Sequence, residues 1–168
     1  MSLVLNGTDG LSDVDGSAAT PAIRGTDANT GIYFPGADRI GFAEGGVQVG
    51  EFDAAGNFLF NSGYGSAAIA YGCRAWVNFN GTGTVAIRAS GNVTSITDNG
   101  TGDYTVNFTT AMPDINYGAF GQRSRAVSVV NSDFDEAFAS RTTSSSRWAN
   151  IEGGGLADAS NIQVVIFR

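Results

Sequence analysis

Arginines, aromatic rings and acids crowd the last third of the chain, where Arg123, Arg125, Arg141 and Arg147 stand among Phe134, Phe138, Trp148 and the run Asp133-Phe134-Asp135-Glu136. Planar guanidinium forks and rings, with the hydroxyls of Ser144-Ser145-Ser146 nearby, form a kit for gripping sugars or carboxylate-bearing surface polymers. The candidate recognition set is Arg123, Arg125, Asp133, Phe134, Asp135, Arg141, Arg147 and Trp148, carried mainly on loops 131–136 and 142–147. A plainer reading puts Phe138 and Trp148 in a core and leaves the arginines to keep the surface solvated.

Catalytic chemistry has little to work with. Nine basic residues are all arginine, and with no lysine and no histidine the serine triad, cysteine-histidine dyad, Schiff base and phosphate-loop lysine are all excluded. A carboxylate pair is the one route left, as in glycoside hydrolysis, which needs two acids flanking a cleft. The densest acids, Asp133, Asp135 and Glu136, read as a solvated loop between strands, so no catalytic residue is assigned and the chain is not expected to be an enzyme.

Metal and phosphate signals are equally thin. Asp13-x-Asp15-Gly16 opens like a calcium loop, but Arg24 stands where the closing glutamate belongs. One cysteine without histidine builds no zinc site. Gly153-Gly154-Gly155 lacks both the following helix and the basic residue that phosphate recognition needs. No cofactor or metal is expected. Five N-x-T sequons occur, at Asn6, Asn80, Asn92, Asn99 and Asn107, and the three that read Asn-Gly-Thr are better explained as turns.

The elements that must position these residues follow from composition and period. A chain of 168 residues is one ordinary domain or two small ones, and 24 glycines with 15% charged residues describe a turn-dense, helix-poor protein. No run reaches the roughly 18 apolar residues of a membrane-spanning helix, so a soluble chain without membrane insertion is expected. The net charge of −7 argues against nucleic acid as a partner. Lone Cys73 rules out an intrachain disulfide and fits a small buried position. Met1 to Leu5 runs at once into Asn6-Gly7, which reads as the start of a fragment or of an intracellularly made protein rather than a signal peptide.

Residues 1–30 show little periodicity. Short apolar runs then follow at 32–34, 39–42, 47–52 and 58–60, broken by Pro35-Gly36, Glu44-Gly45-Gly46 and Asp53-Ala54-Ala55-Gly56. Four such strands bury little by themselves, although Tyr33, Phe34, Phe42, Phe52, Phe58 and Phe60 lie among them, so residues 1–60 are expected to complete their core with further copies of the chain. Residues 61–72 are a small-residue linker. From 73 onward strict alternation begins: Cys73, Ala75, Val77 and Phe79 face one way, Arg74, Trp76 and Asn78 the other. Strands are expected at 73–79, 85–89, 93–97, 103–110, 117–123, 125–131, 136–143, 147–152 and 161–168. The first four form a meander, Tyr104, Val106 and Phe108 share a face, and the last strand, apolar at nearly every position, is buried on both sides, which makes Arg168 a natural end. The fold class is all-β: a short-stranded, interleaved trimeric stalk over 1–60 and a β-sandwich head over 73–168.

Two blocks carry a resemblance. Residues 25–46, Gly-Thr-Asp-Ala-Asn-Thr-Gly-Ile-Tyr-Phe-Pro-Gly-Ala-Asp-Arg-Ile-Gly-Phe-Ala-Glu-Gly-Gly, with Glu-Phe-Asp-Ala-Ala-Gly-Asn at 51–57, form the first. The more specific second block runs from Cys73-Arg-Ala-Trp-Val-Asn-Phe-Asn-Gly-Thr-Gly-Thr-Val to Met112-Pro113. Both resemble segments that recur in tail fibre proteins of tailed bacteriophages, especially those of marine bacteria and cyanobacteria. The resemblance covers about half the chain, 25–60 and 73–118. It implies a parallel homotrimer at the distal end of a fibre, joined to an upstream shaft, exposed on the virion and attaching it to a bacterial surface glycan or outer-membrane receptor. It carries over no catalytic residue. Two other roles are weighed beside this one: a structural module that caps or docks the fibre, and a polysaccharide-cleaving enzyme built on Asp133, Asp135 and Glu136.

Overall fold

The computed structural model describes residues 4–6, 10–12, 14–124, 132–136 and 140–168, with the backbone alone for 4–6, 10–12 and 132–136. It is all-β, and among the described residues every strand pairing is antiparallel. The chain divides into two compact units, Met1–Ala70 and Tyr71–Arg168.

In the first unit β1 (Val4–Asn6) and β2 (Gly10–Ser12) form a hairpin. Then β3 (Ile23–Arg24), β4 (Gly31–Tyr33), β5 (Ile40–Glu44), β6 (Val47–Phe52), β7 (Phe58–Phe60) and β8 (Ala68–Ile69) lie side by side in chain order. The connections are set locally. Gly45 and Gly46 both have positive φ, 59° and 80°, which is the backbone a tight two-residue hairpin demands. Asp53 Oδ1 accepts the amide N–H of Ala55 and Asn57 and so ties the next turn.

Period-two alternation gives this sheet two unlike faces. One holds Tyr33, Ala43 and Glu51, all buried; Tyr33 lies across Gly41 so closely that a Cβ there would sit 2.6 Å from the ring. The other carries Ile40, Phe52 and Phe58 in register across three strands. Beside that row Ile23, Ile32, Phe42, Gly50 and Phe60 form a second. Phe52 packs on Phe42 and Phe58 with ring centroids 6.3 and 5.3 Å apart, yet Phe52 and Phe58 remain 45% and 41% exposed.

The stretch expected to be a plain linker, 61–72, instead contributes β8, which pairs with β7 through Leu59↔Ile69 and Phe60↔Ala68. The fold-back is made by Asn61, whose Oδ1 accepts from Gly63 N, and by positive φ at Gly63 and Gly65.

In the second unit two sheets face each other. One has the order β10 (Ala86–Gly91), β9 (Cys73–Asn80), β17 (Ile162–Phe167), β13 (Gly118–Arg123). The other runs β11 (Val93–Gly100), β12 (Asp103–Phe108), β15 (Ser145–Glu152), β14 (Ser132–Glu136), with β16 (Gly155–Leu156) beside the end of β15. Their inner faces form one core: Ala75, Val77 and Phe79, then Ile162, Val164 and Ile166 from the first sheet, against Val93, Tyr104, Val106, Phe108 and Trp148 from the second. This is a β-sandwich. Tyr104, Val106 and Phe108 do share its inner face.

Several expectations need correction. Residues 73–110 are two hairpins in different sheets, and not one meander: the chain crosses at Asn92, which has φ 56° and whose side chain bonds Arg74 O, Thr110 O and Thr110 N. The final strand is buried on one side only, with Ile162, Val164 and Ile166 inward and Gln163 and Phe167 exposed, because its sheet is a single layer with solvent on the far side. Cys73 is exposed; the register slips between Ile166 and Phe167, so Cys73 pairs with outward-facing Phe167. Residues 132–136 are a strand paired with β15 rather than a loop, since pairing to a long neighbour outweighs local polarity. Of the strand expected over 136–143, residues 140–143 are not extended: Thr142 Oγ1 accepts from the amides of Ser144 and Ser145 and closes a turn. The strand expected at 125–131 lies outside the described residues.

Candidate functional site

Of the eight residues singled out by type, Arg123, Arg141, Arg147 and Trp148 have described side chains, and these four do not meet at one surface. Trp148 is 2% exposed, belongs to the core and donates its Nε1–H to Ser146 Oγ at 2.8 Å, so it is not part of a recognition surface: β15 alternates, and Trp148 falls on the inner side. Arg123 also points inward from β13, its side chain 5% exposed, donating to Ile151 O at 3.2 Å and Glu152 Oε2 at 3.3 Å on the opposite sheet. It works as a strut between the two sheets.

Arg141 lies in the turn before β15. It donates to Tyr117 O at 2.6 Å and stacks its guanidinium 4.5 Å from the centroid of the Tyr117 ring. Arg147 faces outward on β15 and makes a bidentate pair with Asp103, Nε to Oδ1 at 2.8 Å. That hydrogen bond, ahead of burial, which pulls the other way, holds the Asp103 carboxyl below the usual carboxylate range. In β14 Asp133 is opposite Ile151, Phe134 opposite Asn150 and Asp135 opposite Ala149. Arg125 and Phe138 lie outside the described residues, as does Asp13 of the calcium-like stretch; Asp15 uses its carbonyl to accept from Phe34 N. Among the described residues no three histidine, cysteine or acidic side chains come together as metal ligands.

The outer faces of the sandwich are the remaining ground, and they differ. On the β11–β12–β15 side hydroxyls and amides satisfy one another: Asn107 Nδ2 donates to Ser95 Oγ and Thr97 Oγ1, Asn99 Nδ2 to Thr105 Oγ1, and Thr94 Oγ1 to Thr109 Oγ1. That is an ordinary solvated sheet face. The outer face of the other sheet carries Trp76, Val165 and Phe120 in one row across β9, β17 and β13. The next row is Asn78, Gln163 and Gln122. Trp76 is 43% and Phe120 66% exposed, and Phe120 meets Phe167 edge to face, centroids 6.1 Å apart.

Two concavities end this surface. A polar cleft of about 170 Å³ is lined by Gln122, Arg123, Ser124, Asn161 and Gln163, and an open one of about 400 Å³ by Tyr71, Asn116, Gly118, Phe167 and Arg168. In the first unit a shallow cleft of about 680 Å³ lies against Asp15, Ser17, Tyr33, Phe34 and Pro35. The polar groups beside it are engaged in structure: Tyr33 donates to Gln48 Oε1 at 2.7 Å, and Gln48 and Arg39 both donate to buried Glu51, at 2.7 and 2.5 Å. Burial, then the Glu51 charge, pushes the Tyr33 hydroxyl upward, away from any role as a base near neutrality.

Residue type alone did not select the Trp76–Phe120 row. The signal present was a tryptophan on the face of β9 that alternation assigns to solvent. Compared with protein-family models, curated proteins and solved structures, the chain matches none.

Proposed function

We propose that the chain is the distal part of a tailed-bacteriophage tail fibre that attaches the virion to its host. Residues 1–60 serve as stalk and trimerisation segment, and residues 73–168 form the head that meets a bacterial surface glycan or outer-membrane component. The observation that carries this reading is the apolar face of the first unit's sheet, where Ile23, Ile40, Phe52, Phe58 and Phe60 are each 41–46% exposed. A soluble sheet normally lays such a face on something, and contiguous patches of this kind mark interaction surfaces. In a parallel homotrimer three copies cover one another. The resemblance of residues 25–60 and 73–118 to fibre proteins supplies the setting, and an upstream shaft would continue from the first unit.

Attachment by such a trimer needs no tight single site. Three heads per fibre raise avidity by mass action within the assembly, so weak individual contacts suffice. Nucleic acid does not suit the chain, whose net charge is −7; no helix among the described residues is long and apolar enough to cross a membrane. The test is twofold. Light scattering on the full chain is expected to return three times 17.3 kDa, and the labelled protein is expected to bind intact bacteria of a susceptible strain. A well-folded monomer overturns the stalk assignment; a trimer that binds no cells leaves a purely structural fibre module.

A further inference from the structure

Two exposed apolar surfaces among the described residues differ in chemistry. On the first unit's sheet Phe52, Phe58, Phe42 and Ile40 adjoin one another with no amide between them. On the head, rings and amides alternate by row, Trp76 and Phe120 beside Asn78, Gln163 and Gln122. An apolar partner laid on the second surface would strip water from the amides without replacing its hydrogen bonds, which is unfavourable. The occupant must itself be apolar in one part and rich in hydroxyls in another.

We infer that the outer face of the β9–β17–β13 sheet is a glycan-binding platform whose ligand is a hexopyranose polymer. A pyranose ring has a face of C–H bonds that stacks on an aromatic ring and a rim of hydroxyls that both donate and accept. Side-chain amides offer both functions in one group. Trp76 and Phe120 are two strands apart, about 10 Å between backbones at the usual strand spacing, and the Trp76 ring leans further away over Gly91 on β10, so only a chain of several linked sugars can touch both. Phe120 itself stands between the polar cleft at Gln122 and Gln163 and the cleft beside Phe167 and Tyr71, so the row that starts at Trp76 ends between two concavities.

Charge agrees with a neutral or anionic polymer. None of β9, β10, β13 and β17 contains an aspartate or glutamate, although the chain as a whole carries −7, and Arg88 stands at the edge with its guanidinium on Ser160 O and Asn78 Oδ1. The opposite outer face, with its hydroxyls and amides already paired to one another, shows what a merely solvated surface of this sandwich looks like.

This inference rests on the attachment reading for its setting, and the experiment separates the two. Full-length protein, W76A, F120A and Q163A are compared for binding to intact bacteria before and after periodate, which cleaves sugar diols, and after surface proteolysis. Expected are loss of binding on periodate treatment and at least about tenfold weaker binding by W76A and F120A, with melting curves and solution mass unchanged. Binding that survives periodate but not protease, or that is intact in both ring variants, overturns the platform while leaving attachment in place. A smaller solution mass for W76A or F120A also overturns it, because the face is then an interface between copies. If no cells are bound, the attachment reading falls, and the platform is judged by affinity electrophoresis in gels containing dextran, laminarin or alginate. Retardation that W76A abolishes supports it; no retardation in any of the three overturns it.

Discussion

The Trp76 indole lies over Gly91, its register partner on β10, so closely that a Cβ at Gly91 would stand 2.5 Å from Nε1 and 2.9 Å from Cδ1. The glycine is what lets the ring lie down along the sheet. Gly91→Ala is expected to lift the indole out of that position, costing about 1 kcal/mol, since a half-exposed ring relaxes more easily than a core one. Cell or glycan binding should fall as it does in W76A. A melting curve, the intrinsic fluorescence maximum and the binding assay check this; unchanged fluorescence would mean the ring had not moved.

Glu51 is 1% exposed and paired with Arg39. Its carboxyl is held below the usual range first by the Arg39 hydrogen bond and further by Gln48, against burial, which raises it. A depressed folded-state value means the stabilisation is complete above the unfolded value of about 4.3 and is lost as pH falls through the folded one. The protection factors of the β5 and β6 amides, which allow for the intrinsic slowing of exchange in acid, are therefore expected to fall below about pH 4. In Glu51→Gln that acid dependence should be weaker, and the first unit less stable at pH 7.

The head has its own polar anchor. Buried Tyr104 donates to Gly81 O at 2.7 Å and to Asp158 Oδ1 at 2.9 Å, and burial pushes its hydroxyl far up. Tyr104→Phe is expected to cost about 1–2 kcal/mol in a denaturant titration, as for a buried hydrogen bond removed from its acceptors.

Gly102 should be less forgiving. Its φ is +67°, and a Cβ there would meet Ala157 N at 2.6 Å and Asn150 O at 2.7 Å, all backbone. Gly102→Ala adds left-handed strain to a clash that no side chain can relieve, so a loss of about 3 kcal/mol or more is expected. Tyr104→Phe alone should leave Trp148 in place, whereas Gly102→Ala should disturb the turn that Asn150 and Ala157 share with it.

If copies meet through the first sheet, the paired change Phe52→Ser with Phe58→Ser should shift light scattering towards 17.3 kDa. These rings are half exposed in the single chain, so the head's melting transition should not move. A trimer that persists in the double variant argues for contact through another surface.

Much of the fold is legible in the residues. Alternation marks β9 and β12 and names their buried sides correctly, because each strand has one wet face. The same period misleads at Cys73, where Arg74 is an extra residue of β9 against β17 and the irregularity turns the first residue outward, and at β14, whose acids look like a loop until β15 is there to pair with. Asn92 shows another limit: a hairpin turn and a crossing between sheets use the same residue chemistry, so the split of two hairpins between two layers is invisible locally. Residue type selects Arg123 and Trp148, but alternation sends both inward. The row Trp76, Val165, Phe120 exists only through the strand order β9-β17-β13, which joins distant segments and has no signature along the chain.

The six-stranded sheet ends on two very short strands, Ile23–Arg24 and Ala68–Ile69. Each margin offers too little unpaired backbone to template a stranger's strand. An apolar face set between such rims favours covering that face over runaway cross-β growth along the edges.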